Sequence, residues 1–153
     1  MIVFRLSKSK YARDLSGRGA ENSGGRWNSK GVPLIYTSES RALCITEIAV
    51  HTPLGNIPFD YCCISFEIPD HLNIGELKVK DLPVDWKSFP HPKSTKEIGD
   101  RFVLQNKFLV LKVPSAVVQE ESNYLINPRH KDINKIKIGK PLPFEFDERL
   151  FKG

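Results

Sequence analysis

One carboxylate stands alone in an apolar run. The segment Ala42-Leu43-Cys44-Ile45-Thr46-Glu47-Ile48-Ala49-Val50 carries Glu47 as its only charge between Arg41 and His51. At about 100° per residue, its apolar side chains cover nearly the whole circumference, so the segment reads as a buried helix. Ser40, Glu47 and His51 share one narrow sector of it. A carboxylate taken out of water needs a partner. Glu47 is therefore either half of a structural ion pair or loop cap, or the acid of a site. A second candidate is the loop Ser23-Gly24-Gly25-Arg26-Trp27-Asn28-Ser29-Lys30-Gly31. Its glycines allow close backbone approach. Arg26 offers a planar fork for phosphate or carboxylate, and Trp27 a flat apolar anchor. The plain alternative is a surface turn with a core Trp. Tyr36 closes the next short apolar run and suits either the core or a stacked ring ligand. Ser122 and Asn123 lie in a polar knot after an apolar strand. They suit a ligand hydroxyl, the orientation of a carboxylate, or ordinary turn chemistry.

Other constellations are weak. His51, His71, His91 and His130 stand far apart, without metal-ligand spacing. There is no G-x-S-x-G elbow and no P-loop. Gly17-Arg18-Gly19-Ala20-Glu21-Asn22 begins like a dinucleotide fingerprint but has Asn22 where the third Gly belongs. The chain of 153 residues is 40% hydrophobic and 27% charged, a globular composition that fits one domain over 1–153. No apolar run approaches a membrane span, and the N-terminus lacks a signal-peptide core, so the expected location is the cytoplasm without a membrane partner. The net charge of +5 and pI near 9.1 permit an anionic partner. The basic residues are dispersed, however, and Lys131 to Lys140 alternates Lys with Ile like a solvated strand face. A basic RNA-targeting protein is thus an alternative of another class, and no direct nucleic-acid binding by this chain is expected. The three cysteines, with Cys62 and Cys63 adjacent, read as reduced apolar fillers.

The elements that must position these residues follow from pattern. Ile2 to Leu6 and Pro33 to Thr37 read as short strands. Ser38 is a suitable N-cap for the Glu47 helix, which runs to about His51 with Pro53 beyond it. Tyr61 to Ile68 alternates cleanly as a strand. Ile74 to Val79 is a weaker strand, and Pro83 to Pro92 a loop. Ser94-Thr95-Lys96-Glu97 matches a capping box opening a helix to about Asn106. Phe108 to Val113, Ser115 to Gln119, Ile133 to Ile138 and Phe144 to Asp147 complete the strands. Many short strands with two convincing helices predict an α+β fold.

The blocks Gly25-Arg26-Trp27-Asn28-Ser29-Lys30-Gly31, Ile35-Tyr36-Thr37-Ser38, Ala42-Leu43 with Glu47, Val113-Pro114-Ser115, and Glu121-Ser122-Asn123-Tyr124-Leu125-Ile126-Asn127-Pro128 follow one another in a recognisable order. In that order and spacing the chain resembles the RES domain family, from Phe4-Arg5 to Phe146-Asp147. It departs at Gln119-Glu120, where Pro-containing variants are expected. The resemblance implies an ADP-ribosyltransferase-like mixed or antiparallel β core with a few flanking helices. It also implies the toxin of a toxin–antitoxin pair, with an Xre-like helix-turn-helix antitoxin as partner. The implied activity is depletion of NAD+ by hydrolysis or phosphorolysis of the nicotinamide–ribose bond, or alternatively mono-ADP-ribosylation of a protein. NAD+ is then substrate, and no metal or other cofactor is required. Carried onto this sequence, the catalytic residues are Glu47, Arg26 and Ser122, and the NAD+-binding residues are Arg26, Tyr36, Ser122 and Asn123.

Overall fold

The computed structural model describes residues 1–153. Eight strands form one sheet: β1 (Ile2–Lys8), β2 (Ile35–Ser38), β3 (Tyr61–Glu67), β4 (Ile74–Glu76), β5 (Val110–Pro114), β6 (Ser122–Ile126), β7 (Lys137–Ile138) and β8 (Leu142–Phe144). Three α-helices accompany them: α1 (Arg18–Ser23), α2 (Arg41–His51) and α3 (Lys93–Gln105). The strand order is β4-β5-β6-β2-β1-β3-β7, with β8 also paired to β3. Every pairing is antiparallel except β4 with β5. This is the mixed α+β architecture expected from the sequence.

The centre of the sheet is thinly joined. β1 runs along β3 through seven residue pairs, yet it meets β2 at one pair, Phe4 with Ser38. The two halves of the sheet part on either side of that point, and side chains at the parting face open space.

Three apolar clusters hold the layers. Val3, Ile35, Ile64, Phe66, Val110 and Ile126 pack on one face of the sheet. Trp27, Leu34, Phe102, Val103, Leu111 and Leu125 join α3 and the glycine-rich loop to β5 and β6. α3 buries Thr95, Gly99, Phe102 and Val103, the helical spacing of a single inward stripe. Leu6, Cys44 and Cys63, flanked by Ile45, Ile48, Phe144 and Phe146, seat α2 on β1 and β3. All three cysteines are free and buried.

Several local expectations are corrected. The N-cap of α2 is Ser40, whose Oγ accepts the Leu43 N–H at 3.0 Å, because Ser38 is still paired within β2. α3 starts one residue before Ser94, so the capping-box geometry is not formed; the Ser94 hydroxyl instead donates to Asp85 Oδ1 at 2.6 Å. Residues 115–119 are a turn and the strand begins at Ser122. Ile133–Lys135 is a single 3-10 turn, leaving only Lys137–Ile138 paired. The loop 16–31 contains the short α1. α2 is less buried than its apolar run suggests: only Leu43 and Cys44 are fully covered, because one of its sides borders a cavity.

Candidate active site

That cavity has a volume of about 540 Å³, within the range of small-molecule sites. Gly25, Arg26, Trp27, Tyr36, Glu47, His51, His91 and Asn123 are among the residues that line it. Four of the five residues selected from sequence therefore meet in one place.

Glu47 arrives on α2, whose first turn is fixed by the Ser40 cap. Its Oε1 accepts two hydrogen bonds, from Ser115 Oγ at 2.9 Å and from Asn123 Nδ2 at 2.7 Å. Both bonds fall on one oxygen, so Oε2 is left for a ligand. Ser115 is almost wholly buried, and its Oγ also accepts the N–H groups of Val117 and Val118. The hydroxyl is thereby oriented with its proton toward Glu47.

Ser122 does not join the group. Asn123 faces Glu47, and successive side chains on a strand point to opposite faces, so the Ser122 side chain is directed away. Ser122 lies opposite Pro114 and exchanges backbone contacts with Glu39: its N–H donates to Glu39 Oε1 and its C=O accepts the Glu39 N–H, both at 3.2 Å. The hydroxyl that touches Glu47 belongs to Ser115, seven positions earlier. Its sequence signal was a lone Ser after Pro114 at the end of an apolar strand.

Arg26 is held at its tip. Its Nη1 donates to the carbonyls of Trp86 at 2.6 Å and Ser88 at 3.0 Å, so the guanidinium ties the 83–92 loop across the cavity. Burial pulls its pKa below the ordinary arginine value, opposed by Glu47 and Tyr36, yet arginine remains charged. Tyr36 is fixed through its hydroxyl, which donates to Asn28 Oδ1 at 2.7 Å and accepts the Trp27 N–H at 3.0 Å. Burial holds the phenol far above its usual pKa, so it stays protonated. Asn28 is fully buried and donates to the carbonyls of Ala20 and Val32 at 2.8 and 2.9 Å. Gly25 must be glycine: a Cβ there would stand 2.6 Å from the Tyr36 hydroxyl.

Two histidines that the sequence did not mark as a pair complete the rim. The rings of His51 and His91 lie 5.7 Å apart, and Phe89 contacts both. The pKa of His91 is lowered to about 4, first by burial and then by Arg26, His51 and Lys96. His91 is therefore neutral in the folded state at physiological pH. Its folded pKa lies below the unfolded value near 6.5, so the unfolded chain binds the proton first as pH falls. Stability is thus lost between roughly pH 6.5 and pH 4. The carboxylates with lowered pKa, Asp14, Asp70, Asp132 and Asp147, act only below the ordinary Asp value of 3.8. In urea melts, the drop in midpoint between pH 7 and pH 5 is expected to shrink in His91→Gln. An unchanged drop would show that His91 is not the titrating group.

The RES domain pattern matches residues 2–147. The chain belongs to the RES domain family. It is 38% identical over 148 residues to the "Prs ADP-ribosylating toxin" of Sphingobium sp. (strain YBL2), covering 95% of this chain and 92% of the relative. It is 38% identical over 155 residues to "Toxin Res" of Photorhabdus laumondii, covering 100% and 99%. With "Toxin Res" of Pseudomonas putida it shares 34% over 153 residues, covering 99% and 100%. Among solved structures, this RES domain matches a chain of the M. tuberculosis MbcT–MbcA toxin–antitoxin complex with a TM-score of 0.73. That match covers 98% of this chain and 86% of the other at 18% identity, a likeness of fold.

Proposed function

We propose that this RES domain is the toxin of a toxin–antitoxin pair and that it consumes NAD+ at the nicotinamide–ribose bond. The observation that carries this reading is Glu47, held by Ser115 and Asn123 on the wall of a ligand-sized cavity that also contains Arg26 and Tyr36. The C1′–N bond breaks and its electron pair leaves with nicotinamide, whose ring nitrogen becomes neutral. No acid is needed for that departure. Water or phosphate then bonds C1′ through oxygen and releases a proton.

The barrier lies in the oxocarbenium-like ribosyl cation. A fixed carboxylate beside it stabilises the developing charge without reorganising, and its second oxygen can hold a ribose hydroxyl. Glu47 fills that role. Arg26 faces the diphosphate with the guanidinium nitrogens not spent on the loop carbonyls. The Tyr36 ring packs against the nicotinamide. Ser115, rather than Ser122, fixes the carboxylate. The chemistry requires no metal.

The names of the relatives support a toxin. The structural neighbour, a chain from a toxin–antitoxin complex, supports an antitoxin as partner. An Xre-like helix-turn-helix protein is the type we expect. No helix is long and apolar enough to cross a membrane.

A second reading, transfer of ADP-ribose to a protein, is favoured by the name of the Sphingobium relative. Both reactions use the same cation and differ in what attacks it. Purified protein incubated with adenine-labelled NAD+, with and without inorganic phosphate, separates them. Label in free ADP-ribose or its phosphate is the expected result. Label on protein selects the second reading, and intact NAD+ in both buffers and in cell extract overturns both.

A further inference from the structure

We propose that Ser38 is a positioning residue for Glu47, acting through the side-chain amide of Asn123. This inference rests on the NAD+-cleaving reading of the site. Ser38 and Asn123 face each other across β2 and β6. The Ser38 hydroxyl donates to Asn123 Oδ1 at 2.7 Å, and Asn123 Nδ2 donates to Glu47 Oε1 at 2.7 Å. The three side chains form a directed chain of donors that ends on the carboxylate.

The direction is what matters. A primary amide has one accepting end and one donating end, and the two are nearly the same size. Left to itself, Asn123 can flip and set its oxygen against a Glu47 oxygen. A hydroxyl that donates to Oδ1 removes that choice and commits the NH2 end to Glu47. The helix cap is supplied by Ser40, and the hydroxyl of Ser38 makes no backbone hydrogen bond. Ser38 itself is buried.

Its place in the fold supports the same assignment. Ser38 is the residue at which β2 makes its single pairing with β1. There it borders a small second cavity of about 160 Å³, which Cys44, Glu47 and Asn123 also line. The backbone of Ser38 is therefore held from both sides, by Phe4 of β1 and Asn123 of β6. A group so fixed can fix another.

The test compares the wild-type protein with Ser38→Ala and Ser38→Thr. Threonine keeps the hydroxyl, and the small cavity has room for its methyl. In NAD+ consumption assays, Ser38→Ala should lower kcat roughly tenfold while KM changes by less than about twofold, because the carboxylate is misaligned rather than the ligand lost. Ser38→Thr should restore kcat to within about threefold of wild type. A second readout needs no substrate. The Asn123 side-chain amide signals in a proton–nitrogen correlation spectrum, assigned by their loss in Asn123→Ala, should shift or broaden in Ser38→Ala and return in Ser38→Thr. Unmoved amide signals in Ser38→Ala would overturn the proposal, whatever happens to kcat. So would a Ser38→Thr protein as slow as Ser38→Ala. A wild-type protein inert toward NAD+ would sink the proposed reaction instead, and the amide signals alone would then decide whether Ser38 orients Asn123.

Discussion

Glu47→Gln is expected to slow nicotinamide release from NAD+ by about a thousandfold while leaving the protein folded. The substitution changes charge and almost nothing in shape. Ser115 and Asn123 both donate to Oε1 of Glu47, so both will hold the carbonyl oxygen of a glutamine. The new NH2 group is then turned into the cavity, where the ribosyl cation would form. A stabilising negative charge is replaced by the positive end of a dipole, so the loss exceeds simple neutralisation. Binding of NAD+ through Arg26 and Tyr36 should persist, placing the effect in kcat. Nicotinamide measured by mass against time, with a thermal melt of the same sample, checks both halves. A glutamine variant as fast as wild type would remove Glu47 from the mechanism.

Gly99→Ala is expected to be the most damaging of the glycine-to-alanine changes in the fold. A Cβ at Gly99 would sit 1.6 Å from the Trp27 carbonyl oxygen and 2.6 Å from its carbon. These are backbone atoms, with no flexible side chain to swing aside. Trp27 is itself pinned, since its N–H donates to Tyr36 and its indole is buried under α3. The adjacent Asp100 grips Ser29 through its N–H at 2.8 Å and its hydroxyl at 2.6 Å. Helix and loop must therefore separate as units. The cost should exceed about 3 kcal/mol, the upper part of the range for overpacking. For a chain of this size that lowers Tm by roughly 10 °C. Catalysis should fall too, because Arg26 precedes Trp27 in the displaced loop. A melting temperature equal to wild type would mean that α3 does not lie on Trp27.

Much of the site was legible because its signals are local. A lone acid in an apolar helix, an arginine after paired glycines and a tyrosine at a strand end can each be read within a few residues. Parity and register cannot. Ser122 and Asn123 are neighbours in sequence, and only the pairing of β6 with β2 and β5 decides which faces Glu47. Ser38 and Ser40 are equally good caps by type. The choice falls to Ser40 because the hydrogen bonds of β2 continue through Ser38. Ser94 and Glu97 fit a capping box, but Asp85 takes the Ser94 hydroxyl from a distant loop. Ser115 was the hardest to see. Its role depends on a turn at 115–119 that the apolar run Ala116-Val117-Val118 disguised as strand. The α+β class was readable from strand lengths, whereas the thin β1–β2 junction that opens the sheet was not.

The double grip of Arg26 on the Trp86 and Ser88 carbonyls makes this position a shared component. One guanidinium serves as a charge facing the cavity and as the fastener of a loop that carries Phe89 and His91 to its rim. Lysine preserves the first duty and fails the second, because a single ammonium on a flexible stem cannot reproduce a planar fork. A neutral side chain that filled the same space would forfeit both. If Arg26 binds the diphosphate as proposed, exchanges at residue 26 change ligand affinity and loop placement together. Changing one without the other requires moving the loop backbone itself, because both acceptors are carbonyl oxygens that any side chain leaves in place.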